Sequence, residues 1–225
     1  MIREAIVSRM SRGVRRGLGA LEREVSFARM HRAGVAKARA LRGGGPHRVQ
    51  LGSGTRPKPG WVNVDLTDDA DLTLDLRRAL PFEDGSVEIF YSEHVLEHLE
   101  YPDAAGHLLR ECLRALAPGG VASFAVPDMA MVLDWYVNGG DAAFDAAQKK
   151  WHPPGTETRM EHVNYAFRQE GDHEYGYDYE TLCNLFAACG FERIERRDFD
   201  PELDSEERRV GSLYVRAVKP GPAAV

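Results

Sequence analysis

Apolar residues recur every three or four positions at Ile2, Ile6, Met10, Val14, Leu18, Leu21 and Val25, a spacing that lines one stripe of a helix and leaves arginines on the other faces. Gly13, Gly17 and Gly19 weaken that helix, so packing on the chain's own body or on a second copy is expected ahead of independent binding to a membrane surface. After Gly43-Gly44-Gly45-Pro46 the pattern changes to short β-rich runs separated by turn residues and amphipathic stretches. Strands are predicted at 48–51, 62–66, 71–74, 87–91, 121–126, 194–199 and 212–218. Helices are predicted at 103–117, with Asp103 as N-cap and Pro118-Gly119-Gly120 as the stop, and at 179–189, ended by Gly190. Strands alternating with crossovers define an α/β fold on a mostly parallel sheet. Residues 129–178 form an excursion rich in His, Tyr and Trp, long enough to imply a function of its own, and are expected to act as a lid.

Composition adds a division of labour. The 225-residue chain is long enough for one well-buried domain with appendages, here a basic helical arm over 1–45 and an α/β domain over 46–225 carrying the lid. Residues 1–45 hold eleven Lys and Arg against three Glu, whereas the remainder holds eighteen against thirty-two Asp and Glu. An acidic body repels nucleic acid, so no nucleic-acid partner is expected, and a homodimer through the arm is an expected use of the basic helix. Three cysteines, Cys112, Cys183 and Cys189, stand at no metal or redox spacing; with no disulfide framework, a cytoplasmic location is expected. No apolar run reaches the ~18 residues of a membrane span, and no transmembrane segment is expected.

The candidate chemistry sits at the carboxyl ends of the predicted strands. Gly52-Ser53-Gly54 follows the first strand, where missing side chains let a ligand approach the backbone. The third glycine of a dinucleotide fingerprint is absent, with Arg56-Pro57-Lys58-Pro59-Gly60-Trp61 in its place, and ten residues between the first two strands leave no room for a helix to hold a pyrophosphate. Asp65 ends the second strand, Asp75 follows the third and Ser92-Glu93-His94 follow the fourth. In an open parallel sheet these ends converge on one crevice, and an acid ending the second strand is placed to accept hydrogen bonds from ribose hydroxyls. A nucleoside ligand is implied; the plain alternative makes Asp65 and Asp75 ordinary turn carboxylates.

Five segments together carry a family resemblance. They are Leu51-Gly52-Ser53-Gly54, Pro59-Gly60-Trp61-Val62-Asn63-Val64-Asp65, Leu80-Pro81-Phe82-Glu83-Asp84-Gly85-Ser86-Val87, Ser92-Glu93-His94-Val95-Leu96-Glu97-His98-Leu99 and Leu116-Ala117-Pro118-Gly119-Gly120. In this order they resemble the class I S-adenosylmethionine-dependent methyltransferases, in particular the type 11 group and its branch with a short link after the first glycines. The resemblance implies a Rossmann-like seven-stranded sheet with an antiparallel last strand. It also implies S-adenosyl-L-methionine as cofactor, with its methionine part against the backbone of Gly52, Ser53 and Gly54, its ribose on Asp65, its adenine near Asp75 and Leu76, its sulfonium flanked by Ser92, Glu93 and His94, and Leu51 and Leu66 as further cofactor contacts. Two positions depart from the pattern: Gln50 stands where many members carry an acid, and Arg56 replaces the third glycine region, where it is placed to bind the cofactor's carboxylate as a charge-assisted pair.

Acceptor chemistry is expected from the lid. His162 and His173, with His94, are the candidate general bases toward a hydroxyl, and Arg168 and Tyr177 the candidate substrate contacts. For any one of these histidines, tying down a long segment is the competing role. The expected activity is methylation of a small molecule, on the oxygen of a sugar or a secondary-metabolite intermediate. A non-catalytic S-adenosylmethionine-binding partner protein of the same fold is the alternative. A third reading comes from His94-Val95-Leu96-Glu97-His98, whose His-x-x-Glu-His spacing on a helix would suit an inverted zinc protease. No downstream Glu ligand accompanies it, and a metal held by lid histidines with Asp172 or Glu174 is likewise only an alternative; the expected site contains no metal.

Overall fold

The computed structural model describes residues 11–140 and 142–221. Ile2, Ile6 and Met10 of the amphipathic stripe lie outside them. The β-branched and aromatic runs form seven strands: β1 His47–Leu51, β2 Val62–Asp65, β3 Leu72–Thr73, β4 Val87–Glu93, β5 Leu116–Pro127, β6 Glu192–Arg196 and β7 Ser212–Val218. They make one sheet in the order β3-β2-β1-β4-β5-β7-β6. β1 to β5 run parallel, and β7 is antiparallel to both β5 and β6. Val49, Leu51, Val64, Phe90, Phe124 and Val215 are buried, as strands covered on both faces require. Helix α2, Asp103–Ala115, buries Leu108, Leu109 and Cys112 in the same core as Leu182 and Phe186 of a later helix, Tyr179–Ala188.

Helix α1, Arg12–Ala38, covers the edge of the sheet at β3. Gly34 makes the approach possible, because a Cβ there would lie 2.3 Å from the Thr73 carbonyl oxygen. The arm therefore packs on its own body, but not by the stripe the periodicity suggested. Val14, Leu18, Leu21 and Val25 are exposed, and the docked part includes Gly34, Val35 and Ala38. Close contact with a strand edge selects small side chains over large ones, which the 3.6-residue pattern does not register.

Three further boundaries differ from expectation. The helix predicted to 117 ends at Ala115, and Pro118-Gly119-Gly120 falls inside the long β5. There the freed carbonyls of Arg114 and Leu116 accept from Lys219 Nζ, so the end is set by a distant lysine. Pro102 occupies the N-cap and Asp103 is the first helical residue. The strand predicted to 199 stops at Arg196, because Arg197 turns into a bidentate pair with the Asp204 carboxylate.

The excursion is a helical layer rather than a loop. It contains α3 Met129–Asn138, α4 Ala142–Trp151 and α5 Arg159–Arg168, followed by α6 Tyr179–Ala188 on the sheet. Asp128 caps α3, and a Thr158–Glu161 capping box starts α5. Met129, Val132, Trp135 and Phe144 form a small second core inside this layer.

Candidate functional site

Gly52 and Gly54 play different parts at the end of β1. Gly52 adopts a left-handed φ of 72°, and a Cβ there would lie 2.0 Å from Val95 Cγ2, so its missing side chain admits Val95. The Gly52 and Ser53 amides both donate to the Val64 carbonyl, which bends the chain across the end of β2. Gly54, also left-handed, has open space where a Cβ would stand, and its amide donates to Asp65 Oδ2 at 2.7 Å. Asp65 Oδ1 accepts from the amides of Leu66 and Thr67. An ionised carboxylate has about four lone-pair sites, so Asp65 keeps about one for a ligand donor, on Oδ2.

The far end of the cleft is clamped by charge. Asp75 is buried and accepts from Arg77 and Arg78, while Arg77 reaches on to both carboxylate oxygens of Glu24 in α1. Burial works to raise the Asp75 pKa, but these guanidinium bonds outweigh it and hold the carboxyl below its ordinary range. Phe27 of α1, Leu66, Leu74 and Leu76 supply apolar walls, and the cleft has a volume of about 440 Å³. Gln50 stands behind it and serves the fold, since its Oε1 and Asn63 Oδ1 both accept from the Lys58 amide and fix the turn over residues 56–60.

At the end of β4 the chain makes a strained turn at His94, whose φ is 56°. His94 Nε2 lies 2.8 Å from Ser212 Oγ, and that hydroxyl donates to the Arg208 carbonyl. Nε2 is therefore the donor and Nδ1 carries the free lone pair, 3.7 Å from Glu97 Oε1. Burial, aided by the Arg208 charge, pushes the imidazole's pKa well below its ordinary value, so the ring is neutral. Glu93 accepts from the Ser205 amide and hydroxyl, and Arg208 donates to the Glu93 carbonyl. The connector between β6 and β7 is thus folded back into the site.

A second cavity, about 280 Å³, lies under the helical layer and is lined by Met129, Val132, Trp151, His152, Tyr165 and His173 among others. His94 and Arg208 line both this cavity and the cleft. The two spaces share a wall made of one neutral imidazole and one guanidinium.

Of the residues singled out by sequence, Gly52, Gly54, Asp65, Leu66, Asp75, Leu76, Glu93 and His94 surround the cleft, and His173 faces the second cavity. Leu51 is in the core, and the side chains of Ser53 and Ser92 are buried away from the cleft. Arg56 pairs with Glu207 instead of turning to the cleft. His162 is packed in the lid against His152 and Trp135, Arg168 is exposed, and the Tyr177 ring is buried against Tyr101 and Tyr175; none of the three lines either cavity. The His-x-x-Glu-His run is a strained turn followed by a short 3₁₀ segment, Leu96–His98, so it lacks the helical face of a protease motif. Sequence reasoning missed Arg208 and Phe27, and among the lid histidines it preferred His162 to His152. Arg208 sits in a connector whose charge reads as solvation, and Phe27 lies just beyond the apolar stripe.

The sheet order, with its antiparallel β7, and a cleft at the strand ends define the architecture of class I, Rossmann-like methyltransferases. Within that class, residues 63–124 match the family described as Methyltransferase domain, of the type 11 group. Uncharacterized methyltransferases of Mycobacterium avium (strain 104) and Mycolicibacterium paratuberculosis (strain ATCC BAA-968 / K-10) are each 35% identical over 111 residues, 44% of this chain. The chain spans less than half the length of these relatives, 43% and 42%. Among solved structures, a SAM-dependent methyltransferase of Methanosarcina mazei has a TM-score of 0.50 at 12% identity, over 79% of this chain and 93% of that one. The likeness is one of fold.

Proposed function

We propose that the chain is an S-adenosylmethionine-dependent methyltransferase whose acceptor is a small molecule bearing hydroxyl oxygen. The observation that carries this reading is the shared wall of His94 and Arg208 between a nucleoside-sized cleft and a separate small-molecule cavity. The cleft residues fit the cofactor: Asp65 retains about one acceptor site for a ribose hydroxyl, the open Cβ position at Gly54 leaves backbone accessible, and Phe27, Leu66 and Leu76 suit a purine face. When bound, that cofactor supplies a methyl group already activated by its sulfonium. The protein's part is alignment, which accounts for much of the catalysis in such a displacement. His94, His152 and His173 line the acceptor side, and burial lowers the pKa of each, so their rings offer neutral nitrogen to a hydroxyl. Arg208 supplies a fixed positive charge at the boundary, which favours acceptors that also carry an anionic group.

Calorimetric titration with S-adenosylmethionine and S-adenosylhomocysteine tests the cleft. One site is expected, weakened ~10- to 100-fold in Asp65→Ala, as the loss of a hydrogen bond to a charged group implies. A hydroxylated acceptor panel read by S-adenosylhomocysteine release tests the reaction. Absence of binding by folded protein, with or without acceptors, would overturn the reading.

A further inference from the structure

Neither carboxylate oxygen of Glu97 has a hydrogen-bond partner although the residue is 1% exposed; His94 Nδ1 stands 3.7 Å from Oε1, beyond hydrogen-bond reach. Natural interiors rarely leave such a group orphaned, and the methyl-transfer reading gives it no role. Besides His94, two imidazoles stand near it. His98, one residue on, and His173, at the end of the lid, meet edge to face with ring centroids 4.9 Å apart. Among the described residues, Glu97, His98 and His173 can each bring one ligand atom within 4.8 Å of the others.

The tautomers are fixed by what the rings touch. His98 Nδ1 lies 2.8 Å from the Asp172 carbonyl oxygen and His173 Nδ1 lies 2.7 Å from that of Ala166. A carbonyl only accepts, so both Nδ1 atoms carry the proton and both Nε2 atoms present lone pairs. This is the backing that metal-ligating histidines receive, a second ring nitrogen donating to a backbone oxygen. The Glu97 carbonyl in turn accepts from the Glu174 and Tyr175 amides, which ties the lid's end to the 3₁₀ turn.

We propose that Glu97, His98 and His173 form a binding site for a divalent first-row transition metal ion of the zinc class. Two imidazoles and one carboxylate suit such an ion better than Mg²⁺ or Ca²⁺, which favour all-oxygen shells. Three protein ligands leave a coordination position open to water or an oxygen donor. Because His98 lines the cleft and His173 the lid cavity, that position lies at the boundary of the two spaces. The ion would also pin the lid to the sheet, since its ligands come from both. The site stands independently of the methyltransferase reading.

The test uses full-length protein stripped of metal by chelator and dialysed, titrated with Co²⁺ as a spectroscopic probe. One equivalent is expected to bind with visible d–d absorption, to be displaced by Zn²⁺ and to be unaffected by millimolar Mg²⁺. Glu97→Gln, which preserves shape, and His173→Ala are expected to weaken binding beyond the ~10–100-fold that loss of an outer partner costs, with folding checked by circular dichroism. X-ray absorption of the wild-type zinc form reads the ligands without any variant, and two imidazoles with oxygen are expected. Failure of folded wild-type protein to bind, unchanged affinity in Glu97→Gln, or a shell without two imidazoles would overturn the proposal.

Discussion

A methyl group at residue 52 has nowhere to go, whereas one at residue 54 has room. Gly52→Ala would place carbon against Val95 at a left-handed φ, so a loss of about 2–4 kcal/mol in denaturant unfolding is expected, together with weaker nucleoside binding. Gly54→Ala bears only the backbone cost, about 1–2 kcal/mol, yet puts its methyl group into open space beside the cleft, so binding is expected to fall more than stability. Equal effects on both quantities in the two variants would contradict this separation. Single residues were the least readable level of the sequence. The spacing of Gly52, Gly54, Asp65 and Asp75 after predicted strands located the cleft because strand ends converge in a parallel sheet. The partners of Arg56 and His162 depended on where distant segments return, and no local pattern encodes Glu207 or Trp135.

At the scale of elements, the helical layer over 129–168 is expected to respond to acid through a histidine pair. The Nδ1 atoms of His152 and His162 face each other, so one must donate and the other accept, and a second proton breaks the contact. Burial, aided by the neighbouring His162, lowers the His152 pKa to about 4, against ~6.5 when the segment is open. The open lid therefore binds more protons between pH ~6.5 and about 4, and closure, fully favoured above ~6.5, weakens as pH falls through that window. Hydrogen exchange over residues 142–168, corrected for intrinsic rate, is expected to quicken at pH 5 relative to pH 7.5; a pH-independent opening would exclude the pair as its cause. Elements themselves were largely legible. The β-branched runs gave seven strands near their observed places, and the short link after β1 correctly implied no helix. The lid's three helices escaped notice because their second core is only Met129, Val132, Trp135 and Phe144, too few apolar positions to make a periodic signal against a polar background.

Over the whole molecule, the arm, the sheet and the cleft are one mechanical unit. Arg77 joins Asp75 to Glu24, and Phe27 closes the cleft from the arm's side, so a change at the arm's contact with β3 should be felt by a bound nucleoside. Gly34→Ala would drive a methyl group into the Thr73 carbonyl; a loss of about 1–3 kcal/mol with weaker S-adenosylmethionine binding is expected in thermal unfolding and calorimetry. Unchanged binding would mean that the arm merely covers an edge. Among the described residues no helix is long and apolar enough to cross a membrane. The position of β7 has a consequence for synthesis. It is made after β5 and β6, yet it lies between them in the sheet, and it brings Ser212 to His94. While residue 218 is still within the ribosome, β5 presents an unpaired edge, β6 has no neighbour and the wall between the two cavities is missing its anchor. The wall between the two cavities thus cannot assemble early, and the nascent sheet's most aggregation-prone interval lasts until β7 emerges and inserts.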